Sequence, residues 1–104
     1  AFVKSAQERL IPDDLTLWPN YPNPFSSQTT IEYTIPKDAH VQLQVYDILG
    51  RRVATLVDQR QRSGLHTVQW NGTGGSGQPL ASGIYFGRII VDGQTATRKM
   101  TLVR

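Results

Sequence analysis

From residue 29 onward the chain alternates apolar and polar positions with a period of two. Ile31, Tyr33 and Ile35 fall on one face; Thr30, Glu32 and Thr34 fall on the other. Pro36-Lys37-Asp38 reverses the chain, and Val41, Leu43 and Val45 then alternate with Gln42, Gln44 and Tyr46. This is the signature of antiparallel strands packed on one side and wet on the other. Gly50 predicts a reversal through left-handed backbone. A third strand follows over 53–58 with apolar groups on both faces, and Gly64 opens a fourth in which His66, Val68 and Trp70 face one way. The stretch from Asn71 to Pro79 is too rich in glycine to be a strand. Leu80 is expected to pin its far end to the core. The run from Gly83 to Val91 is the most hydrophobic and apolar on both faces, which predicts a central strand. Asp92-Gly93 predicts a tight type I′ hairpin. The return strand spans 95–103, with Ala96, Met100 and Leu102 toward the core and Thr97, Lys99 and Thr101 toward water.

Before residue 29 the pattern is different. Residues 1–14 read as a linker from a preceding domain, with a helical turn at Ser5 to Leu10 that stops before Pro12. A short strand over 15–18 follows Asp13 and Asp14. The segment Pro19-Asn20-Tyr21-Pro22-Asn23-Pro24-Phe25 holds three prolines. Proline fixes φ and biases its predecessor toward extended backbone, so the segment is stiff and non-helical. Tyr21 and Phe25 are expected to plug the edge of the core. With no convincing helix, the pattern predicts an all-β fold over 15–104. That fold is an immunoglobulin-like β-sandwich of about seven antiparallel strands.

At 104 residues the chain has room for one core, hardly for a deep enzymatic cleft besides. The absence of cysteine excludes thiolate zinc sites and cysteine nucleophiles. The net charge of +3 raises nucleic-acid binding. Arg51, Arg52, Arg60 and Arg62 would have to gather at neighbouring strand ends to support it. The excess is small, turn arginines serve solubility, and no nucleic-acid partner is expected. No apolar run is long enough for a membrane-spanning helix. The chain begins with Ala1 rather than Met, so it reads as a piece of a longer protein with any export signal upstream.

Chemistry-bearing residues are scattered. Asp13, Asp14, Glu32, Asp38, Asp47, Asp58 and Asp92 fall in turns or on wet faces, with Glu8 in the linker. Nothing sets two of them across a cleft, as glycoside hydrolysis would need. His40 and His66 stand alone, without the clustered ligands a metal site needs. Gly72 to Gly77 lacks the Lys-Ser/Thr ending of a phosphate loop and precedes no helix. No catalytic residue, metal site or cofactor is expected. The aromatics are plentiful, and most fall at core positions or strand ends. Tyr46 is the one expected to be exposed. A structural or carbohydrate-binding accessory module of a secreted multidomain enzyme therefore stays open as an alternative, with Tyr46 or Trp18 as the stacking residue.

Three groups of residues carry a more specific resemblance. The first is Tyr21-Pro22-Asn23-Pro24-Phe25, followed by Thr29-Thr30-Ile31-Glu32-Tyr33. The second is Val45-Tyr46-Asp47-Ile48-Leu49-Gly50-Arg51-Arg52-Val53. The third runs through Trp70-Asn71-Gly72 and Leu80-Ala81-Ser82-Gly83-Ile84-Tyr85-Phe86 to Arg98-Lys99-Met100-Thr101-Leu102-Val103. In this order and spacing they resemble the type A C-terminal sorting domains of type IX secretion cargo, over about residues 15 to 104. The stretch from Trp70 to Phe86 also resembles the immunoglobulin-like module of flagellar hook-capping proteins.

The sorting resemblance implies a non-catalytic address label at the C-terminus of a cargo protein. Such cargo crosses the periplasm and is read by an outer-membrane translocon. A sortase-like processing enzyme then releases it or attaches it to surface lipopolysaccharide. The partners implied are thus the translocon, that enzyme and a cargo domain upstream in the same polypeptide. Carried onto this sequence, the sorting signal comprises Pro22, Asn23, Pro24 and Phe25, then Gly83 and Tyr85, then Lys99, Leu102, Val103 and Arg104. Two positions depart from the family. Asn71 stands where an acid commonly follows the tryptophan, so no calcium is expected. Ser26-Ser27-Gln28 replaces the usual Asn-Pro pair. The physical expectation is a closing strand accessible along a sheet edge. Its unpaired backbone groups would suit strand addition by a partner, or an edge-strand dimer.

Overall fold

The computed structural model describes residues 14–104. Nearly all of the expected linker, including the helical turn at Ser5 to Leu10, lies outside the described residues. Seven strands form: β1 (Thr16–Leu17), β2 (Thr29–Ile35), β3 (Ala39–Tyr46), β4 (Arg52–Gln61), β5 (Gly64–Trp70), β6 (Gly83–Val91) and β7 (Gln94–Leu102). One antiparallel sheet has the order β1-β2-β5 and the other the order β4-β3-β6-β7. The fold is an all-β, immunoglobulin-like sandwich, and among the described residues it contains no helix.

The period-two residues build its interior. Ile31, Tyr33 and Ile35 face inward from β2, and Val41, Leu43 and Val45 face them from β3 without measurable exposure in the last three. Tyr85, Ile89 and Val91 of β6 and Met100 and Leu102 of β7 complete the layer. Each fully buried aliphatic side chain contributes about 1.5–3 kcal/mol. β6 lies between β3 and β7, so the expectation of a central strand holds. Gly87 belongs to its inward row, where a Cβ would stand 3.3 Å from Met100 Cε. The hairpin is as expected. Asp92 and Gly93 both take positive φ, 49° and 79°, as a type I′ turn requires. Gly50 has φ of 81°.

Several side chains depart from the alternation. Thr34 and Gln44 are buried although they lie on outer faces. Thr34 is flanked by Thr16 and Leu65 on both sides of its strand. Gln44 lies between Thr55 and Arg88, and Tyr46 Oη donates to its Oε1 at 2.6 Å. Tyr46 is accordingly half-buried rather than the exposed aromatic. Among the described residues the exposed aromatics are Trp18, at 42%, and Tyr21, at 52%. Tyr21 does not plug the core. It bridges to Thr30, an outward residue of β2, while Leu17 and Phe25 take the inward positions. The two-sided apolar pattern of β4 follows from register shifts against β3 at Leu43/Gln44 and Val45/Tyr46. Such shifts turn neighbouring residues toward one face. Arg52 and Arg60 stand near opposite ends of this ten-residue strand. That separates them by roughly 25 Å, so the arginines do not gather.

Candidate functional site at the closing strand

The two-residue turn makes Val91 and Gln94 a bonded pair, and bonding then recurs at every second pair along β6 and β7. Residues 95, 97, 99 and 101 therefore aim their backbone groups away from β6. β7 is the last strand of its sheet. Its C-terminal half is nevertheless not open, because the proline-rich segment lies along it. Thr101 N–H donates to Asn23 Oδ1 at 2.9 Å, and Asn23 Nδ2 donates to the Lys99 carbonyl at 3.2 Å. Phe25 N–H donates to the Thr101 carbonyl, and Val103 N–H donates to the Phe25 carbonyl, both at 2.9 Å. Phe25 and Leu102 thus form a parallel bridge. The closing strand lies at a sheet edge as expected, but this half of the edge is covered. Residues 23–25 act as a short extra strand, a clasp, over residues 99–103. Among the described residues nothing bonds the outward backbone groups of Thr95 and Thr97.

The clasp is anchored on both sides. Asn20 Nδ2 donates to Thr29 Oγ1 at 2.9 Å, and that hydroxyl donates to the Pro22 carbonyl at 2.9 Å. The Tyr21-Pro22 and Asn23-Pro24 peptide bonds are cis. On the inner side the Phe25 ring meets Trp70 at 5.5 Å, and Trp70 meets Tyr85 edge-on at 5.7 Å. Trp70 Nε1 donates to the Thr73 carbonyl at 3.0 Å, and Tyr85 Oη donates to the Ala81 carbonyl at 2.7 Å. A competing strand could replace the four clasp bonds one for one at little net cost, since each contributes only about 0.5–1.5 kcal/mol. It could not replace the buried phenyl ring. Phe25 is therefore what keeps the clasp closed.

The glycine-rich loop holds the end of the chain. Arg104 Nε donates to the Leu80 carbonyl at 2.8 Å, and its terminal nitrogen donates to the Gly72 carbonyl at 2.7 Å. Arg104 N–H donates to Ser82 Oγ at 2.8 Å. Gly72 has φ of +75°, and a Cβ there would fall 2.6 Å from the Arg104 guanidinium. The positive φ favours glycine there, and a larger residue would displace the guanidinium.

The residues proposed from sequence thus converge on one end of the sandwich, but not in one role. Pro22, Asn23, Pro24, Lys99, Val103 and Arg104 are exposed. Phe25, Tyr85 and Leu102 are buried and act as core, and Gly83 is half-buried where it pairs with Leu102. A partner can touch the first group; the second only supports it. Trp70 and Gly72 belong to the site as well. Their place beside Asn71 was visible in sequence, but their contacts were not.

Next to this end, the loop at 47–51 forms a shallow cavity with Ser82, Gly83, Ile84 and Tyr85. Asp47 organises the loop. Its Oδ1 accepts the N–H groups of Leu49 and Arg51 at 2.9 Å, and its Oδ2 accepts Arg51 Nε at 2.8 Å. The Arg51 backbone bond, helped by that guanidinium and the Leu49 N–H, lowers the carboxyl's pKa against its partial desolvation. Elsewhere, burial raises the Tyr33 pKa, opposed by a hydrogen bond to Gln61. His66 stacks on Tyr33 at 5.4 Å, and His40 Nε2 lies 2.6 Å from Asp58 Oδ1 in an exposed pair. Among the described residues no three His, Cys, Asp or Glu side chains group as metal ligands.

Residues 25–89 match the family described as FlgD Ig-like domain. The chain belongs to this family. The match stops at Ile89 within β6, so β7 lies beyond it. No curated protein matches the chain. Among solved structures, dimeric latent PorU from Porphyromonas gingivalis superposes with a TM-score of 0.71 at 22% identity, over 86% of this chain and 9% of that one. PorZ, an essential surface component of the type-IX secretion system of the same organism, gives 0.56 at 21% identity, over 88% and 12%. FlgD from P. aeruginosa gives 0.54 at 25% identity, over 71% and 59%. The chain therefore spans a small part of PorU and PorZ, which it resembles in fold alone. It spans somewhat over half of FlgD.

Proposed function

We propose that this domain is a non-catalytic sorting signal for type IX secretion, carried by an upstream cargo and read at the end of its closing strand. The observation that carries this is convergence. Residues 23–25, 83–85 and 99–104, far apart in sequence, interlock at one end of the sandwich. They leave the Lys99 and Val103 side chains exposed on a strand whose backbone is fixed. A rigid, displayed closing strand is what a receptor needs in order to distinguish a folded label from an unfolded segment. The fold shared with PorU and PorZ, the latter a type-IX component, agrees with this reading. On it, the partners are the translocon and a sortase-like processing enzyme. The protein passes through the periplasm on its way to secretion or the cell surface.

The test must separate reading from folding. Removing residues 99–104 would delete Met100 and Leu102 from the core and unfold the domain. The exposed pair is the better target. The chain is fused behind a periplasmic reporter in a host with this system, and Lys99→Glu with Val103→Asp is introduced. Export is expected to fall at least tenfold with the melting temperature unchanged. Unaltered export of the double variant would overturn the proposal.

A further inference from the structure

The clasp covers only half of the β7 edge, and the other half has a chemistry of its own. Thr95 and Thr97 point their N–H and carbonyl groups outward, and so does the Lys99 N–H. Among the described residues none of these groups is bonded. The stretch carries no proline and no bulge; of the devices that blunt an edge it has charge alone, Lys99 on the outer face and Arg98 in the inner row. It offers a template for one added strand.

Three cations border this template. Lys99 and Arg88 lie on the outer face of the sheet, Arg88 opposite Thr97 and Lys99 opposite Phe86. That makes them diagonal neighbours about 7–8 Å apart. Arg98 comes from the inner row and crosses the seam between the sheets, where its Nε donates to the Leu17 carbonyl at 2.8 Å. All three are exposed, and none makes an ion pair among the described residues. Two acids of the same sheet are engaged or distant. Asp92, at the hairpin tip, pairs with Lys37 at 3.9 Å. Asp58 pairs with His40 and lies three strands away, about 14 Å, beyond the screening length at physiological salt.

We infer that the open half of β7 binds an extended acidic peptide segment of a partner protein by strand addition. Backbone bonding to Thr95, Thr97 and the Lys99 N–H would supply affinity. Carboxylates at alternate positions of the added strand share one face and would meet Lys99 and Arg88 there. The same charges argue against a second copy of this chain. Edge-to-edge pairing would set like cations against each other, and the chain carries a net charge of +3. The inference deepens the sorting reading by giving the receptor a chemistry. It rests on that reading only for where the receptor resides.

The test uses the whole chain in solution. Fluorescence anisotropy is measured with a labelled eight-residue peptide alternating Glu and Thr. Its Lys/Thr counterpart and an N-methylated Glu/Thr peptide, which cannot donate from alternate amides, serve as comparisons. Saturable binding is expected only for the unmodified acidic peptide, and it should weaken several-fold between low and physiological salt. Arg88→Glu with Lys99→Glu should cost at least tenfold. Thr97→Pro, which removes an outward N–H, should do the same, with unchanged thermal melts in both variants. Equal binding of the basic or N-methylated peptide would overturn the inference. So would binding of a sulfated polysaccharide that ignores Thr97→Pro, or a dimer at low salt that excludes the peptide. Because no export step is involved, a negative result here leaves the reporter experiment to stand by itself.

Discussion

The two halves of β7 have the same strand geometry and opposite fates. Residues 99–103 are covered by Asn23 and Phe25, which use four hydrogen bonds and a buried ring. Residues 95–97 carry threonines, and among the described residues nothing bonds their outward backbone groups, although β1 lies beside this strand. Strand pairing alone therefore does not decide whether an edge is closed. What decides it is a side chain that reaches the core from the covering segment. Phe25 does so against Trp70; beside the open half Leu17 reaches the core, but from β1, which bonds to β2 instead.

The contrast can be broken most severely at that anchor. Phe25→Ala should destabilise the domain by about 3–5 kcal/mol and free the clasp together with it. Urea denaturation monitored by circular dichroism would measure the loss, and a cost below about 1 kcal/mol would mean that the ring is not the anchor. A milder break is Asn23→Ala, which removes two hydrogen bonds to the terminal strand and should cost about 1–2 kcal/mol. Native-state hydrogen exchange sharpens the comparison in the same variant. The Thr101 amide should speed up, while those of Thr95 and Thr97 should already be fast and should not change.

The smallest effect concerns the neighbouring loop. Asp47 has a folded pKa below its ordinary value near 3.8, so its contribution is complete above that value. It is lost as pH falls from there through the lower folded pKa. Asp47→Asn should remove this part of the acid limb of a stability profile and leave the region around neutrality sloping as before.

The alternation that placed Ile31 to Ile35 and Val41 to Val45 inward was legible because a period of two belongs to the backbone itself. The hairpin at Asp92-Gly93 was legible because few residues take positive φ. Trp18, Tyr21, Thr34 and Gln44 were not, since their burial depends on what lies across the sheet. The clasp was the least legible. Asn23 meets β7 at a separation of 76 to 78 residues, through a side-chain amide bonded to backbone. No local pattern encodes such a contact. An asparagine held between two prolines was its only trace, and it stood among the residues chosen for recognition, not for closure. The same motifs hold Leu102, Phe25 and Tyr85, whose burial makes them supports.

The chain's two tryptophans sit in different surroundings, Trp18 partly open to water and Trp70 sealed against Phe25 and Tyr85. Their emission is thus a sum of a red and a blue component. Iodide, which quenches only what it can touch, would silence Trp18 and leave Trp70 glowing. The unlabelled protein therefore carries its own optical gauge of whether residues 23–25 are docked, readable in a stopped-flow cell as a partner arrives.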